Sequence, residues 1–225
     1  MNWQDEGFLL SKIKFRENAN IINVFTNTHG KVSGIVYGGN SRKIRNFLQI
    51  SNKIFVFYTS KNENRIGYFK TELVEAISPK YFSDKKKTTS LLSLSTILNL
   101  LLPESQPYKS LFNSVKKFLK NLDQENWAVN YVYWELDLLK ELGFDPYLEQ
   151  FSKDLDDNSL YKIIEIDKIK YQVPIFLLKK KIEFVDNKNL SIALSFTRNL
   201  LSNKFFIPNN LIFPKARIIL ENYFN

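Results

Sequence analysis

The stretch KVSGIVYGGNSRKIRNFLQ, residues 31–49, changes character twice. Lys31–Tyr37 is rich in β-branched and aromatic residues and reads as a strand. Gly38 and Gly39 follow, and glycine lets a backbone turn sharply or lets a ligand come close. Arg42, Lys43 and Arg45 then set three cations within four positions, flanked by Asn40, Ser41 and Asn46 as polar partners. This chemistry suits the non-esterified oxygens of successive phosphates. The alternative is an exposed, solvated loop that tolerates charge.

On both sides of this stretch the N-terminal part reads as short strands. Phe8–Phe15, Ile21–Thr26, Ile54–Thr59 and Ile66–Ala76 share its β-rich composition, and Thr28-His29-Gly30 marks a turn before Lys31. Ile54, Val56 and Tyr58 alternate with Phe55 and Phe57 across two faces. Five short strands closing on themselves predict a small barrel of the oligonucleotide-binding (OB) kind. Beyond Ser78-Pro79 the pattern turns helical. Leu91–Leu102 stops at Pro103, and a second helix runs from Pro107 through Leu122. Trp127, Tyr131, Trp134, Leu138 and Leu142 form a helical stripe closed by Gly143. A short hairpin is expected near 161–173, and Leu190–Leu201 and Pro214–Phe224 read as final helices. The expectation is an α+β protein: an OB barrel over residues 1–80, then a mostly α-helical domain over 81–225.

The formal charge of +9 suggests an anionic partner. Lysine dominates the cations, a bias that genome composition alone can produce, so distribution says more than the total. Residues 1–80 hold 12 Lys/Arg against 6 Asp/Glu, and residues 81–225 hold 20 against 17. With no cysteine, disulfides, thiolate zinc sites and cysteine nucleophiles are excluded. Trp3, Asp5 and Glu6 stand where a signal peptide would need a basic and then an apolar stretch. The apolar run Leu91–Leu102 is too short to cross a bilayer. A cytoplasmic protein without a membrane partner is expected.

Parts for catalysis are missing from the pattern. His29 is the single histidine, with no orienting carboxylate or nucleophile near it in sequence, and is read as a turn or solvated residue. Gly38-Gly39 lacks the spacing of a phosphate-binding P-loop. The acids Asp154, Asp156 and Asp157 lack the glycine and terminal glutamate of a calcium loop. No catalytic residue, metal or cofactor is therefore expected. Nuclease or nucleotidyl-transfer chemistry would need carboxylates such as Glu63, Glu72 and Glu75 gathered around metal. Tyr37, Phe55, Phe57 and Tyr58 are read as barrel core, with base stacking as the alternative. Lys116, Lys117 and Lys120, and the run Lys179-Lys180-Lys181, are read as solvated faces, with docking of an acidic peptide as the alternative.

Four motifs occur in one order: WQDEGFLLS (3–11), TNTHGK (26–31), GGNSR (38–42) followed by Leu48-Gln49, and WAVNYVYWEL (127–136) continuing to Glu141-Leu142-Gly143-Phe144. With these the chain resembles the RecO family of bacterial recombination mediators. The resemblance implies an N-terminal OB fold and a helical C-terminal domain. It also implies binding of single- and double-stranded DNA, strand annealing, and help to RecR in loading RecA onto DNA coated with single-strand-binding protein (SSB). The implied partners are DNA, RecR and the acidic C-terminal tail of SSB, at the nucleoid during repair. Two departures stand out. The cysteine zinc site that some members carry after the central helix is absent between Asp145 and Val173. A Leu-Gln-Pro-Gly turn familiar from relatives becomes Leu48-Gln49-Ile50-Ser51. From the residues themselves, the expected DNA contacts are Lys31, Arg42, Lys43 and Arg45, with Gly30, Gly38 and Gly39 as structural turns. The rival reading is a protein-interaction adaptor whose basic barrel binds an acidic protein.

Overall fold

Alternation of apolar and polar residues builds five strands in the first 75 positions: β1 (Asn2–Arg16), β2 (Ala19–Thr26), β3 (Gly30–Tyr37), β4 (Lys53–Thr59) and β5 (Gly67–Glu75). In the computed structural model they close into a barrel in the order β1-β2-β3-β5-β4. The structure describes residues 1–39, 41–61, 66–153, 155, 159–179 and 185–225, without the side chain of Lys43. Asn40, Glu63, Arg65, Asp154, Asp156, Asp157, Lys180 and Lys181 thus lie outside the described residues.

β1 serves two neighbours. Its first half pairs with β4 (Asn2↔Thr59 to Phe8↔Lys53) and its second with β2 (Gly7↔Thr26 to Arg16↔Ala19). Register shifts at Leu9/Ser11 and Lys14/Arg16 bend the long strand between the two. Among the described residues the barrel closes through two parallel pairs, Gly34↔Gly67 and Ile35↔Tyr68. Its interior is filled by Leu9, Ile22, Val24, Val32, Val36, Leu48, Ile54, Val56 and Phe69. This corrects the expectation for the aromatics. Of the four read as core, only Tyr58 packs on the interior cluster, while Phe55 and Phe57 are half-buried and Tyr37 is exposed. Period-two alternation turns Phe55 and Phe57 outward once Ile54 and Val56 point in, and branched aliphatics with Phe69 already fill the interior.

Residues 42–47, read in sequence as loop, form a helix, α1 (Arg42–Phe47), with Ser41 as its N-cap accepting from the Ile44 amide. Ile44 and Phe47 then pack onto the barrel core, which is why the segment coils rather than crosses. Ser51 lies buried at φ 68, the left-handed conformation that glycine normally supplies. Hydrogen bonds hold it there: its amide to Leu9 O (2.8 Å), its hydroxyl to Leu91 O (3.1 Å) and to Ser95 Oγ (2.7 Å). The turn thus persists without its Pro-Gly.

After a 3-10 turn at Ser78–Tyr81 come α2 (Lys85–Leu101), α3 (Lys109–Lys120), α4 (Trp127–Glu141), the hairpin β6 (Tyr161–Ile166) and β7 (Ile169–Pro174), α5 (Ile175–Leu178), α6 (Asn187–Leu201) and α7 (Lys215–Asn222). The chain packs as two compact units, Met1–Phe112 with Pro214–Arg217, and Asn113–Phe213 with Ile218–Asn225. In the second unit Tyr131, Trp134 and Leu138 of the α4 stripe are buried, and Glu135 accepts from the Thr197 hydroxyl at 2.5 Å. Gly143 ends the helix at φ +94. Among the described residues no helix is long and apolar enough to cross a membrane.

Candidate nucleic-acid interface

The β1–β2 turn and the β3–α1 turn meet at one end of the barrel, where the Gly38 amide donates to Asn18 O at 2.8 Å. Gly38 adopts φ +68, and a Cβ on Gly39 would fall 2.4 Å from Asn20 Nδ2, so this junction needs both glycines. Arg42 and Arg45 stand exposed on α1, and neither forms an ion pair among the described residues. The backbone of Lys43 lies between them in the same helix.

The fold adds cations that the sequence reading missed. Lys12 of β1 donates from Nζ to Leu48 O at 2.9 Å, satisfying a carbonyl at the C-terminus of α1. Burial lowers the Lys12 pKa, and the nearby positive charge of Arg45 lowers it further. Two cations are thus held close together without a counter-charge among the described residues, which makes this end attractive to an anion. Lys14 and Arg16 are exposed farther along β1, and the Arg16 guanidinium lies 5.2 Å over the Phe15 ring. The signal was the spacing Lys12, Lys14, Arg16, but the contact of Lys12 with the end of α1 exists only in the folded chain.

Lys31 stands apart from these cations. It lies at the other end of β3, is 9% exposed, and donates from Nζ to Asn99 O at 2.9 Å while facing Glu104 at 3.6 Å. Its ammonium is committed to the last turn of α2 and to the segment after it, which runs alongside β3: the Ser105 amide donates to Lys31 O at 2.8 Å. Gly30 beside it has φ +70, and a Cβ there would strike the Gln106 carbonyl at 2.0 Å.

His29 lies in the β2–β3 turn, as read, but it is half-buried and has partners. Asp5 of β1 supplies the carboxylate absent from the local sequence, with Oδ2 3.4 Å from Nδ1, and the Trp3 indole stacks on the imidazole at 3.9 Å. Burial pushes the Asp5 carboxyl up, but hydrogen bonds from the Thr28 hydroxyl and amide, the Glu6 amide and His29 outweigh it and hold the pKa below its ordinary value. These contacts fasten the β2–β3 turn to β1.

A closed five-stranded barrel with its helix between β3 and β4 and cations gathered at one end fits a protein that handles nucleic acid. Comparison with known proteins agrees: residues 1–77 match the family model "Recombination protein O N terminal" and residues 83–153 match "Recombination protein O C terminal". The chain belongs to the RecO family. It is 28% identical to the DNA repair protein RecO of Wolbachia sp. subsp. Drosophila simulans (strain wRi), over 98% of this chain and 99% of that protein. The RecO of Wolbachia pipientis wMel is 27% identical over the same shares. The RecO of Roseobacter denitrificans is 34% identical over 66% of this chain and 62% of its own length. The RecO N-terminal domain is the OB barrel described above.

Proposed function

We propose that this RecO-family chain binds and anneals single-stranded DNA and, with RecR, helps load RecA onto SSB-coated strands during repair, without making or breaking covalent bonds. One observation carries the reading: Arg42, Arg45 and Lys12 converge at one end of the barrel, and the two arginines have no counter-charge among the described residues. Cations so placed screen phosphates on two strands, which lowers their repulsion and raises the rate of pairing encounters. Lys43 is proposed as a third phosphate contact from its place in α1. Lys14 and Arg16 extend the surface along β1. Lys31 is reassigned to holding residues 99–105 against β3.

The partners proposed from the family resemblance are DNA, RecR and the acidic C-terminal tail of SSB, met in the cytoplasm at the nucleoid. The direct test is R42A/K43A/R45A, with single-strand affinity followed over a salt series. Each lost phosphate contact should flatten the log–log slope by roughly 0.7 units. An unchanged slope in a folded triple variant would refute the assignment. Annealing of naked and SSB-coated complementary strands tests the wider reading, and failure on naked strands would overturn it.

A further inference from the structure

The outer face of β3, β5 and β4 carries aromatic rings that the core does not use. Tyr37 is 55% exposed and Tyr68 is 43% exposed, and their rings stack on each other at 5.5 Å with 21° between planes. On the neighbouring strand β4, Phe57 is half-buried and faces Lys70 across the ladder, with the Lys70 Nζ 5.8 Å over its ring. Rings this exposed contribute little to packing, and several adjoining ones form a surface that needs an occupant.

Two neighbouring features say what the occupant is. First, the face that OB folds more often offer, on β2 and β3, is partly closed by the chain itself. Asn23 Nδ2 donates to Asn99 Oδ1 at 2.6 Å, the Ser33 hydroxyl donates to Glu104 Oε1 at 3.2 Å, and Lys31 donates to Asn99 O. Second, the rings adjoin the cationic end. Tyr37 shares a groove of ≈ 670 Å³ with Ile44 and Phe47 of α1 and with Lys70 and Glu72, while Arg42 and Arg45 stand exposed on that same helix and make the surroundings net cationic. A buried hydroxyl in the groove, Thr71 Oγ1, has no hydrogen-bond partner among the described residues. Cations beside exposed aromatic rings match a polyanion that also presents flat rings, and a single strand does so where a duplex keeps its bases stacked inside. Phe55 is left outside the track, since it is paired across the ladders with Glu72 on one side and Glu6 on the other.

We propose that Tyr37, Tyr68 and Phe57, with Lys70 among them, form a base-stacking track for single-stranded DNA, so that the barrel prefers single strands over duplex. This rests on the DNA-binding reading above and adds to it how the bases are held. The test compares oligo-dT with an abasic deoxyribose-phosphate oligomer of equal length, by anisotropy with the full chain. The backbone charge is the same in both, so the difference reports the bases alone. The wild-type chain should bind oligo-dT roughly 10- to 100-fold tighter, the gain expected from one or two stacked bases. Y37L/Y68L should close that gap with its salt slope unchanged, whereas Y37F/Y68F and F55L should keep it. A urea midpoint for each variant confirms folding, which exposed positions should not disturb. A gap that survives in folded Y37L/Y68L, or is absent from the wild type, overturns the track alone. Failure of the wild type to bind either oligomer overturns the DNA-binding reading and the track with it.

Discussion

Two ends of one barrel treat the same kind of residue in opposite ways. At the α1 end Arg42 and Arg45 are exposed, and Lys12 is held beside Arg45 with a backbone carbonyl as its partner. At the other end Lys31 is buried, bonded to Asn99 and facing Glu104. All four are cations on or beside barrel strands, yet among the described residues only Lys31 faces a counter-charge. On the proposed reading, a charge left without a counter-charge serves binding, and one that the fold supplies with a partner serves structure. A lone positive charge costs little in water and much inside, so burial without partners is not an option for Lys31.

This contrast can be broken experimentally. The largest effect is expected from R42E/R45E, which should weaken single-strand binding at physiological salt by roughly 15-fold or more, since each phosphate contact contributes about 0.6 log units there. Equilibrium titration checks it, and near-wild-type affinity would erase the distinction between the two ends. Lys31→Met should do the reverse, costing about 1–3 kcal/mol in urea unfolding through the lost charged hydrogen bond while the salt slope of DNA binding stays constant. A flattened slope in that variant would return Lys31 to the interface. Ser51→Ala should cost about 1–2 kcal/mol, because it keeps the left-handed backbone and removes two hydroxyl contacts in the interior.

The smallest effect concerns pH at the Asp5–His29 turn. The Asp5 pKa is lowered in the folded chain, so its contribution to stability is fully present above the ordinary carboxylate value. It is lost as pH falls through the lower folded value. Asp5→Asn should therefore lower the urea midpoint at neutral pH and flatten its acid-side fall. Wild type and variant should converge at the most acidic end, and parallel curves throughout would show that Asp5 has no such role.

Much of the barrel was legible because strand pattern is local. Phe55 and Phe57 alternate with Ile54 and Val56, and that alternation already separated the two faces; which face was interior depended on what β1, β2 and β5 placed opposite. The α1 segment was missed because six residues hold too little periodicity to distinguish a helix from a loop. Its evidence is the Ser41 cap and the packing of Ile44 and Phe47, both visible only in the folded chain.

The candidate site divides in the same way. Arg42, Lys43 and Arg45 are neighbours in the chain, so their clustering could be read directly, as could the need for glycine at Gly38. Lys12 reaches Leu48 across 36 positions and Asp5 reaches His29 across 24, distances at which no local pattern carries information. By itself the sequence determined the strands, the helices of the second half, the turn glycines and the local density of charge, because each depends on neighbours along the chain. The tertiary structure alone decided that Lys31 is buried, that Lys12 joins the arginines and that Tyr37 and Tyr68 stand outside. Burial and pairing are settled by which distant segments come to lie against a side chain, and only closure of the barrel determines that.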